Sequence, residues 1–321
     1  MKYFCSIIIP FKNSEKTISK CIQSLIKQNG NTKYEIILIN DFSTDRSNSI
    51  CKMLIKGKNN CKLLKSNTNS SGPGNARNLG IKNANGQYIF FVDSDDQIKK
   101  NTMVILEKKI NLEKKPDLLC VNYQLVDKIG NFKKKYYRYD LNNYKFKKKK
   151  LILKYLNLTL IPQVISNLIK KNTIKKNNIS FKKGYFEDVD FYLKVIYYSK
   201  SIKILKQKLY LKINRANSIV NSLSKSHIND SFESYYRCYK FLLKKKLIKH
   251  KVLKKFFLVA ITGQVAVFLK RISKLVTVQK RLNLELFLKK KFFKLQKNIR
   301  YKYYFVTKKD LVAKKFLYNE H

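Results

Sequence analysis

Tyr88-Ile89-Phe90-Phe91-Val92-Asp93-Ser94-Asp95-Asp96 carries a continuous apolar run, strand-like in length and composition, straight into three carboxylates within four residues. The chain around it has 70 Lys and Arg against 20 Asp and Glu, a formal net charge of +50. Acids are scarce in this setting, and three packed together suggest a bound cation. Oxygen-only ligands suit a hard divalent ion such as Mg²⁺ or Mn²⁺. Such ions usually keep several waters and bridge to phosphates instead of sitting in an all-protein cage. The competing reading is a solvated strand end or a helix N-cap, since Asp and Ser favour both. The segment by itself leaves both open.

Upstream of this run, strand and helix signals alternate. Residues 5–9 form a short apolar stretch ended by Pro10, a buried-strand pattern. Ile18, Cys21, Ile22, Leu25 and Ile26 then recur at helical spacing. Residues 34–39 read as a second strand, with Ser43 as N-cap of a helix carrying Ile50, Met53 and Leu54. Residues 61–64 make a third strand. After Gly72-Pro73-Gly74 comes a helix with Ala76, Leu79, Gly80 and Ala84 on its packing side, and residues 87–92 make the fourth strand. Strands separated by single helices imply right-handed crossovers and a parallel sheet covered on both faces. In such open sheets ligands bind outside the carboxyl ends of the strands. Pro10, Asp41 and Asp93 all fall at those ends, and this convergence favours a site over solvated loops.

Downstream the pattern is mixed. A helix is expected around 104–112, a strand over 118–126, a hairpin through Lys128-Ile129-Gly130-Asn131, a Lys-rich helix, and a final strand near 209–213. From about residue 226 the chain reads as helices rich in Lys, Phe, Leu and Tyr, with no internal repeat.

Composition bounds the function classes. At 44% hydrophobic the chain can bury a core, and so basic a chain is attracted to nucleic acid, anionic lipid or phosphorylated substrates. Neither zinc-finger spacing nor an RNA-recognition signature is present, so no specific nucleic acid is expected. The lysine runs at 147–150 and 289–291 read by default as solvated faces. Cys5, Cys21, Cys51, Cys61, Cys120 and Cys238 form no C-x-x-C pair and read as buried hydrophobes in a reducing compartment. The N-terminus is too soon broken by Pro10 for a signal peptide. No segment is expected to reach the 18 or so apolar residues of a membrane span; residues 256–269 read as a buried or interfacial helix. A cytoplasmic location is expected, with peripheral attachment to the inner face of the cell membrane as an extension of it.

Absent motifs narrow the chemistry further. The first strand is not followed by G-x-G-x-x-G, and no G-x-x-x-x-G-K-[ST] occurs, which argues against a dinucleotide Rossmann site and a P-loop. What occurs instead is Ile7-Ile8-Ile9-Pro10-Phe11-Lys12-Asn13, Ile39-Asn40-Asp41-Phe42-Ser43-Thr44-Asp45, Gly72-Pro73-Gly74-Asn75-Ala76-Arg77-Asn78-Leu79-Gly80 and Phe91-Val92-Asp93-Ser94-Asp95-Asp96. In this order and spacing the set resembles the family 2 glycosyltransferases. Each motif alone is weak, and four in register are strong. The resemblance covers roughly residues 5–100 and resumes at Glu187-Asp188.

That resemblance implies an α/β fold, a mostly parallel sheet flanked by helices of the glycosyltransferase A type, with a C-terminal helical extension. It implies a nucleotide-sugar-binding half over 1–100, an acceptor-binding half of the same domain over 101–225, and a basic helical region over 226–321. Pro10 and Phe11 would line the pocket for the donor base, and Asp41 would accept a hydrogen bond from uracil. Arg77 would contact the nucleotide or its diphosphate, with Ser94 beside it. Asp93 would be shared between ribose and metal, and Asp95 would ligate Mn²⁺ or Mg²⁺, while Asp96 reads as a helix start. Glu187 and Asp188 match the acidic pair near the acceptor, with Asp188 as base and Glu187 orienting it; helix N-terminal acids are the competing reading. Arg215, with Ser218, matches a loop that closes over the diphosphate. His227 lies just beyond that loop.

Two residues depart from the family pattern. Asn40 stands where another Asp is usual, and Phe42 where Gly is frequent, which questions a turn with positive φ. The chain also lacks Trp, and with it the Q-x-x-R-W signature of processive membrane synthases. The expected activity is inverting, metal-dependent transfer of a hexosyl or N-acetylhexosaminyl group from a nucleotide sugar, a UDP-sugar, to a surface glycan or glycolipid such as lipopolysaccharide, capsule or a lipid-linked oligosaccharide. An anionic membrane surface is a further expected partner, each Lys near it contributing about 1 kcal/mol. The rivals are a nucleotidyltransferase, which expects a Gly-rich loop after the first strand, and a non-catalytic basic module that binds membrane or nucleic acid on a transferase scaffold.

Overall fold

The structure is a computed structural model that describes residues 3–67, 72–126, 132–134, 148–156, 163–213, 223–299 and 317. In chain order its elements are β1 (Tyr3–Phe11), α1 (Ile18–Ile26), β2 (Tyr34–Asn40), α2 (Ser47–Ile55), β3 (Cys61–Lys65), α3 (Gly74–Asn83), β4 (Gly86–Phe91), β5 (Gln97–Ile98), α4 (Thr102–Leu112) and β6 (Leu118–Val126). There follow β7 (Phe132–Lys134), α5 (Lys148–Leu156), β8 (Asn167–Lys170), α6 (Lys171–Lys176), α7 (Glu187–Tyr198), β9 (Ile202–Ile213), α8 (Lys225–Lys245), α9 (His250–Ile272) and α10 (Val278–Ile299). The chain divides into two compact units: residues 1–146, 163–183 and 194–215, and residues 147–162, 184–193 and 216–321.

The first unit holds one mixed sheet in the order β3-β2-β1-β4-β8-β6-β9-β5, with β7 paired to β6. The expected parallel half is present, because β1 pairs β2 and β4 in parallel and β2 pairs β3 in parallel. Beyond β4 the sheet turns mixed: β8 runs antiparallel to β4 and β6, while β9 runs parallel to β6. Ile7, Ile9, Ile36, Leu38, Phe90 and Val92 pack with Ile18, Cys21, Ile22 and Leu25 of α1. Each such side chain taken fully out of water contributes about 1.5–3 kcal/mol. Strands covered on both faces read as continuous apolar runs, as β1 does from Ile7 to Phe11.

On the opposite face α3 lies so close to the sheet that Gly80 has no room for a side chain. A Cβ there would sit 2.5 Å from Ile8 Cγ2. β1 continues through Pro10 instead of stopping before it. The Ile8 carbonyl accepts the Val92 N–H, so Pro10, two residues on, presents its missing N–H on the side where the β1–β4 ladder has ended.

Several local expectations need correction. Ser43 is not the N-cap of α2; Asp45 accepts the Ser47 N–H at 3.0 Å and its hydroxyl at 2.5 Å. Met53 is 68% exposed, since α2 buries only Ser47 and Cys51. Asp96 starts no helix and leads into β5. The final strand is longer than expected and begins at Ile202. The expected hairpin at 128–131 lies outside the described residues. None of the six cysteines forms a disulfide, and five are buried.

The second unit contains α5, the first turns of α7, and α8 to α10. α9 has 23 residues and is long and apolar enough to cross a membrane by length and composition, which corrects the sequence reading. More than half of its most apolar window is buried, and it packs on α5, α8 and α10. A helix apolar on all sides is accounted for by such a core position.

Gly80→Val is expected to cost about 2–3 kcal/mol by forcing α3 off the sheet. The measurement is the denaturant midpoint at unchanged m value; a midpoint equal to wild type would refute the close approach.

Candidate active site

The carboxyl ends of β1, β2 and β4 meet at one edge, and their loops are tied to one another. The Asn13 N–H donates to Ser43 Oγ at 3.1 Å and the Thr44 N–H to Asn13 Oδ1 at 2.8 Å. The Ser14 N–H donates to Ser47 Oγ at 2.7 Å, and the Glu15 N–H to Asp45 Oδ2 at 3.0 Å. The hydroxyls of Ser14 and Ser94 lie 2.9 Å apart, which brings the β4 loop into the same lattice. Asn13 and Asp45 end two of the quoted motifs and Ser14 follows one, but no local pattern names their partners, which lie about 30 residues away in sequence.

Asp41 sits at the end of β2, 5% exposed. Its N–H donates to the Phe11 carbonyl at 2.8 Å, and its Oδ1 is buried with no hydrogen-bond partner among the described residues. Burial pushes its carboxyl above the ordinary range, while a hydrogen bond from Ser66 and the charge of Lys12 pull the other way. Phe42 adopts φ +61°, so the turn with positive φ survives without glycine. The left-handed conformation there costs about 1–2 kcal/mol. Asn40 supplies the acceptor an Asp would: its Oδ1 takes the Ser43 N–H at 2.8 Å, and its amide donates to Asn48 at 3.1 Å. Pro10 is buried at the same edge. The Phe11 ring, expected beside the base, is 2% exposed and packs in the core.

Arg77 is no surface arginine. It is 5% exposed, its Nη2 meets Asp93 Oδ1 at 2.9 Å, and its guanidinium lies 5.5 Å from the centroid of the Phe181 ring. Oxygens of Asp93, Asp95 and Asp96 lie within 4.8 Å of one another, an all-oxygen set that fits a hard divalent cation. Within it the roles differ. Asp96 is 2% exposed; its Oδ2 accepts the Tyr210 hydroxyl at 2.6 Å and its Oδ1 the Ile213 N–H at 2.9 Å. Tyr210 also accepts the Asp93 N–H at 3.2 Å. Both Asp96 oxygens are thus engaged with β9, which leaves Asp95 with Asp93 as the pair that could hold a cation.

Burial pushes the Asp96 carboxyl up to about 7, with Lys212 opposing. Burial lowers Lys212, but the charges of Asp96, Asp93 and Asp95 outweigh it and hold the ammonium above its ordinary range. Tyr210 and Lys212 carry no sequence signal that ties them to this cluster. The acid at 96 was visible, but its counterparts on β9 lie more than 110 residues away.

In the second unit Glu187 and Asp188 open α7, with Asp190 in the same first turn. Glu187 is buried, Asp188 half-buried, and Asp190 fully buried against Arg237, whose Nε and Nη2 each approach Asp190 Oδ1 to 3.0 Å. The turn before the helix is held as well. The Tyr185 N–H donates to Asp230 Oδ2 at 3.0 Å, and the Tyr185 ring stacks on His227 at 3.7 Å. Gly184 has φ +110°, and a Cβ there would lie 2.7 Å from Asp230. His227, hydrogen-bonded to Ser224 at 2.8 Å, is held below the usual imidazole range by burial and by the charge of Arg271. Arg215 and Ser218 lie outside the described residues.

Tyr210→Phe removes the donor to a buried carboxylate and the acceptor for the Asp93 N–H in one step. The expected loss is about 1–3 kcal/mol of stability, read by chemical unfolding; an unchanged unfolding curve would dissolve this hub.

A sequence profile described as Glycosyl transferase family 2 matches residues 6–171, more than half of the chain. The chain is 32% identical over 209 residues to the poly(ribitol-phosphate) beta-N-acetylglucosaminyltransferase TarS of Staphylococcus aureus (strain MW2), covering 64% of this chain but 34% of that protein. It is 45% identical over 100 residues to the poly(ribitol-phosphate) beta-glucosyltransferase of Bacillus spizizenii, covering 31% of this chain and 16% of that one. The chain therefore spans about a third or less of these two curated relatives. Among solved structures, residues 1–349 of S. aureus TarS in complex with UDP-GlcNAc match with a TM-score of 0.66 at 23% identity, covering 93% of this chain and 83% of that one. That likeness is one of fold, the glycosyltransferase A type. From the profile match over its sheet and loops, the chain belongs to glycosyl transferase family 2.

Proposed function

We propose that this chain is an inverting, metal-dependent glycosyltransferase that moves a hexosyl or N-acetylhexosaminyl group from a UDP-sugar to a hydroxyl of an anionic surface glycan. The observation that carries the reading is the buried Asp41 with its unpartnered Oδ1, at the sheet edge where Asp93 and Asp95 also lie. A buried acceptor left unmade costs about 1–3 kcal/mol, and a ring N–H of uracil is the donor that would satisfy it. Arg77 holds Asp93 in place by charge. A divalent cation held by Asp95 and Asp93, Mn²⁺ or Mg²⁺, would offset the charge that develops on the departing nucleoside diphosphate.

In the reaction the acceptor oxygen bonds to the anomeric carbon as the carbon–oxygen bond to the diphosphate breaks, inverting configuration. The acceptor proton passes to Asp188, oriented by Glu187. The relatives named for poly(ribitol-phosphate) support a phosphate-bearing polymer as acceptor, in preference to lipopolysaccharide, capsule or a lipid-linked oligosaccharide. The net charge of +50 suits a polyanion.

A panel of UDP-sugars, assayed for transfer and hydrolysis with Mn²⁺ and with EDTA, tests the donor and the metal together. Activity with a UDP-sugar should vanish in EDTA and in Asp95→Ala; activity untouched by Asp95→Ala sinks the metal assignment. Asp41→Ala is expected to weaken UDP binding about 10- to 100-fold by calorimetry. Asp188→Asn should retain UDP binding while turnover falls about 10²- to 10⁴-fold, and full turnover refutes its role as base.

A further inference from the structure

We propose that the outer face of α10 is a docking surface for an anionic phospholipid bilayer. α10 is apolar on two sides. Leu284, Leu288, Phe292, Leu295 and Ile299 are buried in the second unit. A separate row stays exposed: Val278 at 65%, Leu282 at 50%, Leu286 at 67% and Phe293 at 37%. At 3.6 residues per turn these four fall within an arc of roughly 80°, centred roughly 120° away from the buried row, and run about 22 Å along the helix. Val276, just before the helix, is 92% exposed and extends the row. Contiguous exposed apolar rows of this kind mark interaction sites.

Charge selects the occupant. α10 carries seven basic residues against one acid, Glu285, and the exposed Lys290, Lys294 and Lys297 lie alongside the apolar row. A second copy of this chain would set lysine against lysine, at a net charge of +50 on each. A soluble polyanion such as the acceptor satisfies the lysines but offers nothing to leucine, valine and phenylalanine. An anionic bilayer satisfies both, with acyl chains for the apolar row and headgroups for the basic rim. The sequence offers 256–269 as a buried or interfacial helix; that stretch belongs to α9, more than half of whose most apolar window is buried, so α9 does not supply this surface.

The test is co-sedimentation of the full chain with phosphatidylcholine vesicles, with and without phosphatidylglycerol. Wild type should bind only the anionic vesicles. Leu282→Ser/Leu286→Ser should bind them about ten-fold more weakly at unchanged circular dichroism and unfolding midpoint, because both side chains are exposed. Lys290→Gln/Lys294→Gln should weaken binding and flatten its salt dependence. Soluble polyphosphate, which has no apolar phase, should bind wild type and the leucine variant equally. The proposal is overturned if wild type ignores anionic vesicles or if the leucine variant binds them as wild type does. It is equally overturned if sedimentation velocity shows a dimer that the leucine variant dissolves while vesicles go unbound.

Discussion

A carboxylate taken out of water must be matched by a donor, a counter-charge or a bound cation, because its lost hydration is too large for packing to offset. This constraint organises the carboxyl edge of the sheet. Asp93 is matched by the buried guanidinium of Arg77, and Asp96 by a tyrosine hydroxyl, a backbone N–H and the charge of Lys212. Asp41 is matched at one oxygen only. The elements that supply the partners of Asp93 and Asp96, α3 and β9, are thereby pinned to the end of β4. The arrangement of these acids and the fold are thus aspects of a single electrostatic arrangement.

The same logic recurs in the second unit around the start of α7. Asp190 is fully buried and neutralised by Arg237, and Asp230 receives the backbone N–H that precedes the helix. Residues on α8 therefore set the first turn in which Glu187 and Asp188 lie. A helix N-terminus favours acids through its dipole, so the helix-start reading of this pair is correct as local physics. It is also compatible with a chemical role, since burial separates Glu187 from the more exposed Asp188.

Much of the first unit was legible in the sequence because parallel strand–helix units leave short-range signals. Continuous apolar runs marked β1, β2 and β4, helical spacing marked α1, and strand-to-helix order put Pro10, Asp41 and Asp93 on one edge. The errors were local competitions. Ser43 is a fair N-cap by type, but the Ser47 N–H at the start of α2 goes to Asp45. Phe42 suggested a lost turn, yet surrounding contacts hold it at positive φ. In the tail, composition announced helices but gave no rotational phase, so buried α9 and half-exposed α10 looked alike.

By itself the amino-acid sequence determined the parallel half of the sheet, its family, and the acids that gather at the strand ends. Those properties follow from hydrophobic period, breakers and motif order, all carried within a few tens of residues. Only the tertiary structure decided which acid is held by which partner. Tyr210 and Ile213 reach Asp96 from 114 and 117 residues away, and no local pattern encodes a contact at that separation. Tertiary structure also decided which apolar helix face is core and which meets solvent, because a helix shows its inside only once its neighbours are in place.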